Sequence, residues 1–149
     1  MSCSPPAGRE TLSAIAIVDT GPLYAAADER DAAPERSLVV LQRPDLHLII
    51  PVLVIAEAAY LVAQRLGPRA EAAFIRGLSD FDVEAPTSVD WTRMADLMER
   101  YANFPLGAAD ASIVALAERL DTDLVITLDH RHFAAIRPSH RKALTLLPA

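Results

Sequence analysis

Four short β-rich runs, spaced too far apart for hairpins, limit this chain more than any other feature. They cover residues 14–18, 47–50, 81–84 and 124–128, with a candidate fifth at 144–147. Strands joined by long crossovers rather than tight turns pair in parallel, and the crossovers are usually helices. The intervening residues read that way. Residues 21–27 predict a helix with Thr20 as its cap and Pro22 tolerated in the first turn. Residues 33–41 predict another, opened by Asp31 and Pro34, and residues 52–66 a longer one stopped by Gly67-Pro68. Pro68 starts the next, over 69–78. Residues 88–101 repeat Val89, Met94, Leu97, Met98 and Tyr101 at helical spacing, and residues 108–120 complete the set. The order β-α-α-β-α-α-β-α-α-β predicts an α/β three-layer sandwich, with a mainly parallel twisted central sheet flanked by helices.

At 149 residues the chain suits one domain, expected over 14–149, behind a Ser/Pro/Gly-containing tail over 1–13. Its 52% hydrophobic and 23% charged residues are ordinary globular usage. The longest apolar stretches, 48–55 and 111–117, are interrupted well before the ~18–20 residues of a membrane span. The first residues lack the apolar run of a signal peptide, so no membrane association and a cytoplasmic location are expected. Cys3 is the single cysteine, which excludes an intrachain disulfide and a cysteine-based zinc site. The net charge of −6 argues against a non-specific grip on nucleic acid, which depends on neutralising phosphates. It does not exclude a nuclease, because metal-binding carboxylates add negative charge themselves.

The acidic residues are placed where chemistry is common. Ligands bind at the carboxyl ends of strands in open parallel sheets. Asp19 closes Ile15-Ala16-Ile17-Val18, and Asp129 follows Leu124-Val125-Ile126-Thr127-Leu128. Glu57 interrupts the apolar helix of residues 52–66, and Asp110 interrupts a run of alanines and aliphatics. A carboxylate among apolar neighbours is expected to be paired, protonated or bound to a cation. Two of them about 4 Å apart repel by roughly 4 kcal/mol at an effective dielectric of 20. Hard oxygen ligands without cysteine point to Mg²⁺, with Mn²⁺ as the alternative, rather than zinc. Each acid also has a local explanation. Asp19 and Asp110 suit helix N-termini, and Asp129 suits a turn. Glu57 has none, since a mid-helix position offers no free backbone donor.

Taken in order, Val18-Asp19-Thr20-Gly21-Pro22-Leu23, Ala56-Glu57-Ala58, Asp110-Ala111-Ser112-Ile113-Val114-Ala115 and Thr127-Leu128-Asp129-His130-Arg131-His132-Phe133 resemble the PIN-domain nucleases. Within them, the set is most similar to the VapC toxins of bacterial toxin–antitoxin pairs. The resemblance spans residues 15–147 and implies a magnesium-dependent endoribonuclease that leaves 5′-phosphate and 3′-hydroxyl ends. It assigns the acidic quartet to Asp19, Glu57, Asp110 and Asp129. Asp19 and Asp110 would be direct metal ligands, with Glu57 and Asp129 acting through water or a second ion. It gives Thr20 and Thr127 the part of orienting those carboxylates. It also implies an RNA substrate, tRNA or rRNA among the candidates, a VapB-like antitoxin and a homodimer. The family often carries a second acid beside the third, where Ala109 and Ser112 stand here, so a second metal is not expected to be held tightly. The alternatives are a PIN ribonuclease of RNA processing outside a toxin pair, or a catalytically silent protein-binding module.

Other candidates carry less. His130-Arg131-His132 lacks a third soft ligand nearby and is read as a surface turn, with Arg131 as a phosphate contact. Arg65, Arg69 and Arg76 read as a solvated face, and Trp91, Met94 and Met98 as packing residues. No Asp-x-Asp follows the first strand, as a haloacid-dehalogenase phosphatase requires. Neither a dinucleotide-binding glycine pattern nor a Walker A motif is present.

Overall fold

The computed structural model describes residues 13–28, 30 and 34–149. The expected tail, apart from Ser13, therefore lies outside the described residues, as do Cys3 and Asp31. The strands are β1 (Ala14–Val18), β2 (Leu46–Pro51), β3 (Asp82–Glu84), β4 (Leu124–Ile126) and β5 (Thr145–Leu147). They form one sheet in the order β3-β2-β1-β4-β5, and every pairing is parallel. β1 is central and fully apolar where it matters: Ala16, Ile17 and Val18 are all buried. A strand covered on both faces reads as a continuous apolar run rather than an alternation, which is why residues 14–18 were legible.

The helices are α1 (Thr20–Ala27), α2 (Pro34–Leu41), α3 (Val52–Leu66), α4 (Pro68–Gly77), α5 (Ser88–Arg100), α6 (Ala108–Arg119) and α7 (His130–Ala134). From β1 the chain steps to β2 and β3 on one side, then crosses to β4 and β5 on the other. Right-handed crossovers put the helices of these two halves on opposite faces of the sheet. α6 packs on β1, β2 and β4, and its residues 111–117 are buried without a break. A helix apolar on every side has to be central.

Three local expectations need correcting. Asp19, not Thr20, is the N-cap of α1; its carboxylate accepts from the Thr20 backbone N–H at 2.7 Å, and Thr20 is the first helical residue. The face that α5 buries is Asp90, Met94 and Leu97, while Val89, Trp91 and Met98 are exposed. Asp90 belongs inside because it completes a capping box with Thr87 and meets Arg119 at 2.8 Å. Residues 130–132 open a short helix rather than a turn, because the Asp129 side chain caps it by accepting from His132 N–H at 3.1 Å.

Candidate active site

The site begins with register. β1 and β4 pair Val18 with Ile126, and Asp19 N–H continues the ladder by donating to Ile126 O at 2.9 Å. That pairing sets Thr127 beside Asp19, and the Thr127 hydroxyl donates to Asp19 Oδ2 at 2.7 Å. The same hydroxyl accepts from Asp129 N–H at 2.9 Å. Thr127 thus ties the acid after β1 to the acid after β4. Both lie where neighbouring strands lead to opposite sides of the sheet, the position at which open α/β sheets leave a crevice.

Helix packing supplies the other two acids. α1 packs on α3, and the Thr20 hydroxyl donates to Glu57 Oε2 at 2.9 Å. α3 also packs on α6, which carries Asp110 in its first turn, where a negative charge is favoured. Glu57 is not the isolated carboxylate that its sequence surroundings implied. It is exposed, and Thr20 gives it the partner its own helix lacks.

The acids act on one another. Burial pushes the Asp19 carboxyl up to about 6; the Thr127 and Thr20 hydrogen bonds oppose this, and the charges of Asp110 and Glu57 add to it. Asp110 is also raised, first by burial. Its neighbour His132 opposes the shift, Glu57 raises it, the Gly107 N–H opposes it and Asp129 raises it. Asp110 and Glu57 thus act on Asp19, and Glu57 and Asp129 act on Asp110, which links the four acids through their charges. Among the described residues, the only ion pair reaching any of them is His132 Nε2 to Asp110 Oδ2 at 3.2 Å. No three His, Cys, Asp or Glu side chains among those residues stand as a preformed metal cage. The donor set is nevertheless all hard oxygen at the four acids, which suits a divalent cation of the magnesium type. Arg131 projects from α7 two residues beyond Asp129 and is exposed.

The model of the PIN domain family matches residues 16–137, which include all four acids. The chain belongs to the PIN-domain family.

Other comparisons agree with this PIN assignment. Ribonuclease VapC26 of Mycobacterium tuberculosis is 34% identical over 136 residues, spanning 89% of this chain and 99% of the relative. The Mycobacterium tuberculosis toxin VapC20, described as cleaving the Sarcin-Ricin loop, superposes with a TM-score of 0.66. It is 21% identical and covers 74% of this chain and 86% of its own. The VapBC2 complex of Rickettsia felis bound to a promoter DNA fragment also gives a TM-score of 0.66, at 18% identity, covering 89% of this chain and 96% of that one. Both likenesses are of fold, the five-stranded parallel sheet between helices described above.

One residue of the PIN crevice was missed by sequence reasoning. His132, read as part of a surface turn, stacks on Phe104 with ring centroids 4.8 Å apart and 22° between planes. It also meets Phe133 edge-on at 5.5 Å, so its imidazole is largely withdrawn from solvent beside Asp110. The available signal was the spacing: three residues after a helix-capping Asp129, a side chain returns over the cap. Among the described residues no helix is long and apolar enough to cross a membrane.

Proposed function

We propose that this protein is a metal-dependent endoribonuclease toxin of the VapC type, held inactive by a VapB-like antitoxin. The observation that carries the reading is the convergence of four carboxylates from β1, α3, α6 and the β4–α7 junction, braced by two threonine hydroxyls. The likeness to Ribonuclease VapC26 over nearly the whole of both chains supports the substrate class.

In this reading Asp19 and Asp110 hold Mg²⁺, or Mn²⁺, directly, and Glu57 and Asp129 complete the site through water or a second ion. When bound, the cation supplies Lewis-acid polarisation of the phosphate and a more acidic water. The chain's own residues do the positioning. Thr127 and the start of α1 fix the Asp19 carboxylate between them, because Oδ2 accepts the Thr127 hydroxyl and Oδ1 accepts the Thr20 N–H. Thr20 fixes Glu57 in the same way. Carboxylates immobilised before substrate arrives need no reorganisation during the reaction. Arg131, free to extend from α7, offers a charged fork to an RNA phosphate. Cleavage by water gives 5′-phosphate and 3′-hydroxyl ends and requires no covalent enzyme intermediate.

The antitoxin has a place to bind. An apolar groove toward the C-terminal end of α1 is lined by Leu23, Ala27, Leu41, Leu66, Phe74 and Leu78, with Asp28 and Arg30 among its polar residues. It suits an amphipathic segment laying apolar anchors between α1 and α4. The outward stripe of α3, where Val52 and Tyr60 are exposed, is assigned to a homodimer contact.

Asp19→Ala tests the reading. It is expected to abolish magnesium-dependent RNA cleavage and growth inhibition while leaving antitoxin binding largely intact. Unchanged cleavage by the folded variant refutes it. Mapping the 5′ ends of RNA cut in cells then names the target.

A further inference from the structure

His132 holds a feature that the cluster of acids does not explain. Its Nε2 is sealed from solvent yet makes no hydrogen bond among the described residues, and a buried nitrogen without one is unfavourable even beside a charge of opposite sign. The polar atom it faces is Asp110 Oδ2 at 3.2 Å, out of line for a hydrogen bond. The ring cannot easily turn away. Phe104 stacks against one face, Phe133 meets it edge-on, and the backbone N–H of His132 donates to Asp129 Oδ1 at 3.1 Å. A nitrogen and a carboxylate oxygen are thus held side by side at the edge of the acidic crevice.

Two neighbouring ligands on an octahedral cation, each at roughly 2.1 Å, stand about 3 Å apart. The observed 3.2 Å separation matches that bite. We infer that His132 Nε2 is itself a metal ligand, paired with Asp110, and that this chain's site is a mixed nitrogen–oxygen site. The inference rests on the metal reading above and deepens it. An imidazole ligand moves the preference away from Mg²⁺, which favours oxygen and holds its waters tightly, toward the first-row transition ions; Mn²⁺ binds most weakly of these but reports a bound nitrogen in its spectrum. The stacked Phe104 and the Asp129 cap act as positioning groups: they fix the ring so that Nε2, rather than a carbon edge, faces the cation.

The test is spectroscopic and independent of cleavage. Mn²⁺ is added to the full chain and its binding followed by electron paramagnetic resonance, with electron spin-echo modulation read for a directly bound nitrogen. Nitrogen modulation is expected in the unmodified protein and in His130→Ala, and is expected to vanish in His132→Ala. Mn²⁺ affinity is expected to fall by about tenfold to a hundredfold in that variant, the range seen when groups supporting a metal are removed. Mg²⁺ affinity is expected to change far less. His132→Asn, which keeps a polar planar group against Phe104, guards against a folding defect and is likewise expected to lose the nitrogen signal. Mn²⁺ bound without nitrogen modulation overturns the inference alone and leaves a carboxylate site beside a His132–Asp110 ion pair. Modulation that survives in both His132 variants also overturns it. Absence of any Mn²⁺ binding removes the metal reading and this inference together.

Discussion

Replacing Asp19 by Asn should make the metal-free protein more stable while removing its activity. The Asp19 carboxyl is raised from 3.8 to about 6, chiefly by burial. It binds its proton more tightly folded than unfolded, so ionisation penalises the fold. That penalty is complete above pH 6 and disappears as pH falls below the unfolded value near 4. Raising the carboxyl from 3.8 to about 6 corresponds to about 3 kcal/mol at pH 7.5. Asn abolishes the charge but cannot offer acceptors to both Thr20 N–H and Thr127 Oγ1 as the carboxylate does, which returns about 1 kcal/mol. The expected net gain is about 2 kcal/mol, or a rise of several degrees in Tm. Urea unfolding in the presence of a chelator, at pH 7.5, 5.0 and 3.5, measures it. The charge-dependent gain should shrink to about half at pH 5.0 and be lost near 3.5. Added Mg²⁺ should stabilise the natural protein and not the variant. A variant no more stable than the natural protein at pH 7.5, with no pH dependence in the difference, refutes the electrostatic account.

Thr127→Val keeps the side-chain shape but removes the hydroxyl linking Asp19 Oδ2 to Asp129 N–H; a loss of about 1–3 kcal/mol in urea unfolding and slower RNA cleavage are expected. Gly67 joins α3 to α4 at φ 90° and ψ 175°, a region essentially restricted to glycine, with open space around it. Gly67→Ala should therefore cost about 1–3 kcal/mol through backbone strain alone, visible as a lowered Tm with cleavage per folded molecule unchanged. Phe133 is 1% exposed and anchors α7 to the core; Phe133→Ala should cost about 3–5 kcal/mol in the same unfolding measurement.

The apolar runs of β1 and β4 and the Gly67-Pro68 stop were legible because each is a local property: continuous burial, or a backbone that only certain residues adopt. The short helix α7 was not, since a five-residue segment has too little periodicity to read and its cap, Asp129, looks like any turn acid. Trp91 and Met98 were misassigned for a related reason. Helical spacing marks which residues share a face but not which face meets the core, and on α5 the buried face includes the charged Asp90.

By itself, then, the sequence determined the parallel α/β class, the four carboxylates and their family likeness, because strand length, crossover length and motif order are written along the chain. Only the tertiary structure decided that β1 and β4 are neighbours, that Thr127 therefore holds Asp19, that α1 presents Thr20 to Glu57, and that His132 faces Asp110. Those are contacts between residues far apart in the chain. They follow from sheet order and helix packing, which depend on the summed burial of the whole core and leave no local mark.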